Sequence, residues 1–458
     1  ATDKLWDCLP FEPSPEQIRV TGEILWDLAA PVPMNRLLQG EVGSGKTAVA
    51  AAIAAAELAQ GGQVAIMAPT EILARQHRAF FSDLGEKLGF TVNWFGGDQT
   101  KAERAPALES LALGQPSISV GTQALCSESV VFTNLTLAII DEQHRFGVRQ
   151  RLLLRNKCPK VNLLAMTATP IPASLAAILY GDLDISSMRG LPPGRRLANT
   201  HVYKPSALSE AYAFMASLVG QGQRAFVVCP RIAGSDPDGA ADEWDNDYAQ
   251  SDSTARPAAT KGASARPEAT KVVEDIRTLL PGLRVGLLHG RMSHEEKLKA
   301  MSEFREGRTS VLVSTSMIEV GVDVPEANVM LVAGANFFGL SQLHQLRGRV
   351  GRGGGQGHFL LVPTLYPSQI AQTRLEALKT MTDGYELADL DLKLRGPGEE
   401  LGLRQSGWPK LFFAKFPKDM SNLAAAMELA QDLWLNRHLW GPELAECVRL
   451  EGLALSRV

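Results

Sequence analysis

The sequence has little cysteine, no strong excess of charge of either sign and no long apolar run. Its 5 cysteines are scattered over 458 residues without a Cys-x-x-Cys pair. This excludes a disulfide framework and a cysteine-based zinc site, and favours an intracellular protein with reduced thiols. The longest apolar stretch, within residues 48–59, is too short to span a bilayer. The net charge of −4 does not decide on nucleic-acid binding, because an acidic protein can carry a basic track.

The amino-acid composition and the length are those of a globular protein with several domains. Hydrophobic residues make up 45% and charged residues 21% of the chain, as is ordinary for such proteins, and the length corresponds to about three domains. From residue 63 onward, apolar strand candidates alternate with helical patterns, as a parallel α/β sheet requires. A second series of this kind follows a Gly- and Pro-rich break at residues 190–194, and a mostly helical region follows Thr364.

Short apolar runs define the predicted strands of the two series. In the first series they are residues 36–38, 63–68, 117–120, 135–140 and 161–166, and in the second 225–229, 284–289, 310–314, 328–332 and 358–362. Several of the first series end in polar loops, where an open parallel sheet binds its ligands. Residues 234–271 are rich in Ala, Asp, Ser, Pro and Thr, which predicts a disordered surface insertion.

The most informative stretch is Gly40–Thr47, which reads Gly-Glu-Val-Gly-Ser-Gly-Lys-Thr and fits the phosphate-binding loop G-x-x-x-x-G-K-[ST]. A short apolar run precedes it and an Ala-rich run with high helix propensity follows it. This is the strand–loop–helix context that the motif requires. The stretch therefore predicts a site for a nucleoside triphosphate.

Each residue at the end of this loop has an expected contact. Backbone N–H groups at Gly43, Ser44 and Gly45 are expected to surround phosphate oxygens. Lys46 is expected to reach the β- and γ-phosphates of ATP, and the Thr47 hydroxyl to bind Mg²⁺.

Gln17 has two interpretations. It follows Ser14-Pro15-Glu16, so it can complete a capping box with Ser14 at the start of a helix. It can also bind an adenine edge beside the phosphate-binding loop, held in place by the same capped helix.

Asp141 and Glu142 follow the apolar run of residues 135–140. An acid at the tip of a buried strand beside a phosphate-binding loop is the Walker B arrangement. Asp141 would then hold Mg²⁺, directly or through water, and Glu142 would polarise the attacking water. The alternative is an acidic cap at a strand–helix turn.

Two further stretches lie in the second series. Residues 345–352 read Gln-Leu-Arg-Gly-Arg-Val-Gly-Arg; we assign Gln345, Arg349 and Arg352 to the catalytic set. If this stretch is helical, the two arginines share one face and can reach the γ-phosphate across a cleft; the alternatives are a solvated basic helix end or a DNA-backbone contact. Gly321 and Asp323 lie in a turn after a strand and are candidates for nucleotide binding, although Asp323 is equally suited to forming the turn.

Taken together, these motifs resemble superfamily 2 helicases and, more narrowly, the RecG family. The stretches that carry the narrower resemblance are DEQHRFGV at 141–148, MTATPIP at 166–172, LHQLRGRVGRG at 343–353 and DGYELADLDLKLRGPGEELGLRQSG at 383–407. The resemblance spans residues 9–407. It implies an ATP-dependent DNA translocase and helicase that remodels stalled replication forks and Holliday junctions in bacteria.

The same resemblance implies an architecture and a set of DNA-facing residues. Two RecA-like α/β domains, 1–194 and 195–365, would hold ATP between them, and a mostly helical region, 366–458, would couple their closure to movement along duplex DNA. The positions that match the nucleic-acid track, with a phosphate-contacting role, are Thr70, Thr122 and Thr315. The positions that match the coupling loop are Arg395, Arg404 and Gln405.

The resemblance also implies partners and a location. It implies branched double-stranded DNA as substrate, single-stranded-DNA-binding protein as a partner, a monomeric state, and a cytoplasmic, nucleoid-associated location with no membrane partner. The family's N-terminal wedge domain, which grips the branch point, has no counterpart in these 458 residues. We therefore expect the motor chemistry to be present and the junction selectivity to be in doubt.

Two alternatives stay open. A transcription-repair coupling factor shares His-Arg-Phe-Gly-Val, but typically has Asp-Glu-Glu-His and Arg-Gly-Ala-Gly-Glu where this chain has Gln143 and Pro397. A nucleotide-binding fragment that is inactive on DNA without a wedge domain is the second alternative.

Overall fold

The computed structural model describes residues 2–97, 99–142, 154, 157, 160–168, 183–190, 197–230, 268–315, 327–351, 353, 355–364, 367–395, 429, 433 and 441. The chain divides into two compact units. The larger comprises residues 1–170, 182–239 and 259–387, and the smaller comprises 171–181, 240–258 and 388–458. Both sheets lie in the larger unit. In the smaller unit the structure describes the C-terminal part of one helix and three single residues.

The first sheet consists of parallel strands built from short apolar runs. They are β1 (Asn35–Gly40), β2 (Gln63–Met67), β3 (Thr91–Phe95), β4 (Ser117–Gly121), β5 (Leu135–Ile140), β6 (Asn162–Thr167) and β7 (Asp184–Met188). Their order is β3-β4-β2-β5-β6-β1-β7, and every pairing is parallel. The strands β1 and β5, which precede the two motifs of the predicted nucleotide site, are separated by β6 alone. Their C-terminal ends therefore lie close together on one edge of the sheet.

Helices cover this sheet. They are α1 (Thr2–Cys8), α2 (Pro15–Leu28), α3 (Lys46–Ala59), α4 (Glu71–Leu88) and α5 (Lys101–Ala112), with a 3₁₀ turn at Gln123–Cys126. Helix α3 is buried along most of its length, because its residues are apolar on nearly every face. Helices α1 and α2 pack against it. The start of α3, which follows the phosphate-binding loop, is thereby fixed in the core.

The second sheet is also parallel. Its strands are β8 (Asn199–Val202), β9 (Arg224–Val228), β10 (Val285–Leu288), β11 (Val311–Ser314), β12 (Ala327–Ala333) and β13 (His358–Val362), in the order β10-β11-β9-β12-β13-β8. Its helices are α6 (Leu208–Gly220), α7 (Ala269–Leu279), α8 (His294–Arg305), α9 (Leu340–Arg347) and α10 (Gln369–Thr380), with 3₁₀ turns at Pro205–Ala207 and Ala335–Phe337. Helix α11 (Gly384–Arg395) follows α10.

The expected fold class, two RecA-like parallel-sheet domains, is confirmed. The predicted domain limits stay predictions. The strands that the sequence did not predict, β3, β7 and β8, lie at sheet edges, and each is exposed or half-buried over part of its length. They lack the continuous apolar runs of the buried central strands.

Two expectations about helices and loops need correction. The predicted disordered insertion falls mostly outside the described residues, but its last three residues form the first turn of α7. Arg395, which was expected in the coupling loop, is the last residue of α11. Of the expected mostly helical region at 366–458, the part beyond residue 395 is described only at Leu429 and Leu433, which are helical, and at Gly441. Within the described residues, no helix combines the length and apolarity that crossing a membrane requires.

Candidate active site

The phosphate-binding loop joins β1 to α3 and depends on glycine. Gly43 and Gly45 have φ values of 81° and 90°, which residues with a side chain rarely adopt. A Cβ atom on Gly45 would also overlap the amide nitrogen of Gln17. These two constraints explain why the loop needs glycine where the motif has it.

Gln17 links the start of α2 to this loop. Ser14 and Gln17 form the predicted capping box, in which the Ser14 N–H donates to Gln17 Oε1 at 2.8 Å and the Gln17 N–H to Ser14 Oγ at 3.3 Å. The other end of the same side chain, Nε2, donates to the Ser44 carbonyl at 3.2 Å. Gln17 therefore caps the helix and contacts the loop at once, and its adenine contact stays a prediction.

Lys46 is held by the loop itself. Its ammonium group donates to the carbonyl oxygens of Gly40 at 2.7 Å and Glu41 at 3.0 Å. Ser44 Oγ is buried and has no hydrogen-bond partner among the described residues. A buried hydroxyl without a partner costs free energy, so a polar ligand in the loop would stabilise it. Both observations fit a loop that binds phosphate oxygens.

Asp141 lies directly after β5 and is buried. Its Oδ2 is 2.7 Å from His77 Nε2 on α4, and its Oδ1 accepts a hydrogen bond from the Glu142 N–H at 2.9 Å. Burial disfavours the ionised carboxyl, but the hydrogen bond and charge of His77 and the charge of Lys46 outweigh it and lower the pKa of Asp141. An ionised Asp141 is suited to holding a cation.

Glu142 has the opposite electrostatic environment. Burial and the charge of Asp141 raise the pKa of Glu142, and the charges of Lys46 and Arg349 offset this in part. Its backbone has φ 50°, a strained value for a residue with a side chain, and its Oε2 accepts a hydrogen bond from the Ala168 N–H at 3.4 Å. A carboxyl with a raised pKa beside an ionised one is the arrangement expected of a general base near neutral pH.

These residues border one cavity of about 710 Å³, which is lined by loops, turns and helices beside both sheets. The part of the chain around the first sheet contributes the phosphate-binding loop, Asp141 and Glu142. It also contributes Phe11, which precedes α2, and several residues of α4. In full, the lining residues from this part of the chain are Phe11, Val42, Gly43, Gly45, Lys46, Thr47, Ala48, Leu73, Gln76, His77, Ala79, Phe80, Asp141, Glu142 and Ala168. Arg305 and Arg349, which follow the first sheet by more than a hundred residues, complete the lining.

Arg349 reaches the cavity from a turn, not from a helix. Helix α9 ends at Arg347 and Gly348 caps it, so the expectation that Arg349 and Arg352 share a helical face is wrong for Arg349. A Cβ atom on Gly348 would lie 3.0 Å from Val42 Cβ in the phosphate-binding loop. Glycine at this position permits the close approach that places Arg349 beside the loop.

The remaining predicted residues lie away from the cavity or outside the described residues. Gln345 lies on α9, is buried and does not line the cavity. Thr70 is the N-cap of α4, with Oγ1 accepting from the Leu73 N–H at 3.4 Å, and Thr122 and Thr315 directly follow β4 and β11. Arg395 is the last residue of α11 and not part of a loop. The predicted residues outside the described part of the chain, in whole or in their side chains, are Gly321, Asp323, Arg352, Arg395, Arg404 and Gln405.

Arg347 contradicts the alternative of a solvated basic helix end. It is 3% exposed, and its guanidinium group donates to the carbonyl oxygens of Leu378 at 2.8 Å and Met381 at 2.9 Å. Its other terminal nitrogen lies 3.0 Å from His344 Nδ1. Arg347 therefore connects α9 with the end of α10.

His77 and Arg305 also line the cavity and were not predicted from the sequence. His77 lies two turns into α4, and its pairing with Asp141 joins residues 64 positions apart. Arg305 ends α8, and no local pattern marks it. The residue types alone carried no signal that either side chain borders the cavity.

Comparison with known families and proteins identifies relatives over almost the whole chain. Residues 16–178 match the DEAD/DEAH box helicase family and residues 264–354 match the helicase conserved C-terminal domain. The chain is 44% identical to the ATP-dependent DNA helicase RecG of Acidithiobacillus ferridurans, over 93% of this chain and 58% of the relative. It is 41% identical to the protein of that name from Thermotoga maritima, over 96% and 53%. The chain thus spans roughly half to three-fifths of the length of these relatives.

Solved structures give the same result. A structure of RecG bound to a three-way DNA junction superposes with a TM-score of 0.72 at 39% identity, over 92% of this chain and 51% of that one. The Mycobacterium smegmatis helicase Lhr, solved with single-stranded DNA and AMP-PNP, has a TM-score of 0.57 at 19% identity, over 82% of this chain and 50% of that one. The second likeness is one of fold alone.

Proposed function

Because the chain belongs to the RecG family of superfamily 2 helicases, we propose that it is an ATP-hydrolysing motor that translocates along double-stranded DNA. The observation that carries this proposal is the cavity that the phosphate-binding loop, Asp141, Glu142 and Arg349 share. A nucleotide there would contact both the loop that follows β1 and Arg349, which follows α9, so its binding and hydrolysis would change how the segments around the two sheets are held together.

The described residues supply the parts of a phosphoryl-transfer site. Lys46 would exchange its contacts with loop carbonyls for contacts with phosphate oxygens. Glu142, with its raised pKa, would accept a proton from the attacking water. Arg349 would stabilise the charge that develops on the transferred phosphoryl group, which for an arginine finger contributes about 10³- to 10⁵-fold in rate.

The donor set fits a magnesium ion bound together with the nucleotide. The Thr47 hydroxyl and the ionised Asp141 carboxylate both border the cavity, and Mg²⁺ is commonly held by one or two carboxylates plus substrate phosphates. Among the described residues, no group of three or more His, Cys, Asp and Glu side chains could hold a metal by itself. Mg²⁺ would neutralise charge on the β- and γ-phosphate oxygens.

The finer part of the proposal concerns the DNA. We assign to this motor the remodelling of stalled replication forks and Holliday junctions in recombination and repair. The support is the likeness to a RecG that was solved on a three-way DNA junction, and the positions of Thr122 and Thr315, each immediately after a strand of a parallel sheet, and of Thr70, which caps the helix that follows β2. Hydroxyls there would contact backbone phosphates, which position DNA without reading its sequence.

ATP hydrolysis by this chain, measured with and without a forked DNA, tests the proposal. Forked DNA is expected to raise the rate, Lys46→Ala to abolish hydrolysis, and Arg349→Ala to lower kcat by about 10³-fold. The matched control is Arg308→Ala, since Arg308 is exposed and pairs only with the exposed Glu306 among the contacts described; its rate should equal that of the parent chain. A rate that is unaffected by forked DNA would refute the motor, and normal turnover by Lys46→Ala would refute the assignment of the site.

A further inference from the structure

The phosphate-binding loop makes a second contact that nucleotide binding does not explain. Oε1 of Glu41, the residue after Gly40, accepts a hydrogen bond from the Gly384 N–H at 2.9 Å. The two residues are 343 positions apart, and Glu41 is only 6% exposed. Gly384 is the first residue of α11. The loop that is predicted to bind phosphate thus holds the start of the helix that ends at Arg395.

This contact satisfies a group that the helix cannot satisfy itself. The first N–H groups of a helix have no partner within the helix. Asp383 Oδ1 accepts the N–H groups of Tyr385 at 2.7 Å and Glu386 at 3.4 Å, whereas the N–H of Gly384 is taken by Glu41. A negative charge at this end of a helix is also stabilising. Glu41 is therefore part of the capping of α11.

The neighbours of Glu41 fix the segment between α10 and α11. His344 Nε2 lies 3.7 Å from Glu41 Oε1, but burial and the charge of Arg347 lower the pKa of His344 to about 3, so this contact is not an ion pair at neutral pH. Arg347 bonds His344 Nδ1 and the carbonyl of Met381. The chain from Met381 to Gly384 is thus held by Arg347 at one end and by Glu41 at the other.

The first sheet holds the same turn of α11 at a second point. The guanidinium group of Arg189, which directly follows β7, lies 5.3 Å from the centre of the Tyr385 ring, within the range of a cation–π interaction. The backbone N–H of Arg189 donates to Glu16 Oε2 at 3.4 Å. Residues of the first sheet and of its phosphate-binding loop therefore both contact the start of α11.

The backbone of Glu41 takes part in the nucleotide site. Its carbonyl is one of the two that accept a hydrogen bond from Lys46, at 3.0 Å. A triphosphate that binds Lys46 would remove this bond. The backbone of Glu41 could then move, and with it the side chain that accepts the hydrogen bond from Gly384. Glu41 thus contacts both the Lys46 ammonium group, through its backbone carbonyl, and the Gly384 N–H at the start of α11, through its side chain.

We propose that Glu41 is the positioning residue through which the nucleotide state of the phosphate-binding loop sets the position of α11. In the nucleotide-free loop, Lys46 holds the Glu41 carbonyl and Glu41 holds Gly384. When phosphate oxygens take Lys46, the loop shifts and the bond to Gly384 weakens. The binding of a nucleotide at Lys46 and the last step, from α11 to movement on DNA, rest on the proposed function, whereas the contact of Glu41 with Gly384 does not.

Amide hydrogen exchange of the Gly384 region tests the coupling without any assay of activity. In the parent chain, a saturating non-hydrolysable ATP analogue should speed exchange at Gly384. Glu41→Ala should speed it by about 10- to 100-fold without nucleotide, since a hydrogen bond to a charged group contributes about 1.5–3 kcal/mol and each 1.4 kcal/mol is a factor of ten. Exchange in Glu41→Ala should then no longer respond to the analogue. Glu41→Gln keeps an acceptor oxygen and should stay within a few-fold of the parent.

Glu386→Gln is the matched control, because it removes an acidic charge from the same turn of α11 at an exposed position. Its exchange at Gly384 should equal that of the parent chain. Amides of the buried strand β2 report whether any variant has lost its fold, and they should be unchanged in all of them. Equal protection of Gly384 in Glu41→Ala and the parent, or a parent chain whose Gly384 exchange ignores the nucleotide analogue, would overturn the proposal.

A second variant removes the donor and leaves Glu41 in place. Proline is tolerated at the first position of a helix, so Gly384→Pro deletes the N–H while α11 can still form. The number of base pairs traversed per ATP hydrolysed should fall at least fivefold, and combining Gly384→Pro with Glu41→Ala should lower it no further. An unchanged ratio in Gly384→Pro would overturn the link from α11 to movement. A parent chain that does not move on DNA would refute the proposed function, while the exchange experiment would still decide the role of Glu41.

Discussion

Replacing Arg347 with alanine should destabilise the second sheet and its helices by about 3 kcal/mol. The guanidinium group makes two charge-assisted hydrogen bonds to the carbonyls of Leu378 and Met381, and such bonds contribute about 1.5–3 kcal/mol each. Burial lowers the pKa of Arg347, and the charge of Glu41 acts in the opposite direction. The desolvation of the guanidinium group therefore offsets part of the gain, which brings the sum of both bonds down to about 3 kcal/mol.

Equilibrium urea unfolding, followed by a probe in the second sheet, measures this loss. Arg347→Lys should recover less than half of it, because one ammonium nitrogen cannot both bond the two carbonyls and reach His344 Nδ1, as the two terminal nitrogens of the planar guanidinium group do. Arg308→Ala, at a 60% exposed side chain, should change the free energy of unfolding by no more than about 0.5 kcal/mol. A loss below about 1 kcal/mol for Arg347→Ala would show that its two buried hydrogen bonds do not stabilise the fold.

Two further predictions concern the nucleotide site. Gly45→Ala should weaken binding of a fluorescent ATP analogue at least tenfold, because the new Cβ overlaps the amide of Gln17; Gly61→Ala, at a similar φ of 83° but with no atom within 4 Å of the new Cβ, should bind it as the parent chain does. The kcat for ATP hydrolysis should fall as the pH drops through the pKa of Glu142, which burial and the charge of Asp141 raise above the usual carboxyl range, since the protonated carboxyl cannot accept a proton from water. Glu142→Gln should keep nucleotide binding and lose hydrolysis, and a pH profile with its acidic limb at the usual carboxyl pKa would contradict this role.

The sequence was sufficient for the features that are local in the chain. Buried central strands such as β5 and β13 have continuous apolar runs, and both were predicted with the bounds that the structure has. The edge strands β3, β7 and β8 were missed because their partly exposed faces admit polar residues. The phosphate-binding loop and Asp141-Glu142 were found because fixed spacings within a few residues express their chemistry.

The features that were missed or misread depend on tertiary contacts. A basic residue at the end of a helix is usually solvated, and only the fold shows that Arg347 is buried against two carbonyls. The contact of Glu41 with Gly384 and that of His77 with Asp141 join distant segments. Residue type and spacing cannot predict such long-range contacts, because the fold of the intervening chain decides which side chains meet.

The long sequence separation within the cavity has a consequence for biosynthesis. A nascent chain exposes Lys46, Asp141 and Glu142 well before Arg349 is synthesised, and all four border the finished cavity. At the nucleotide site proposed above, an N-terminal part that folds on the ribosome would therefore lack the arginine expected to speed cleavage. Slow turnover in that state would spare the cell's nucleotide supply until a chain able to use it is complete.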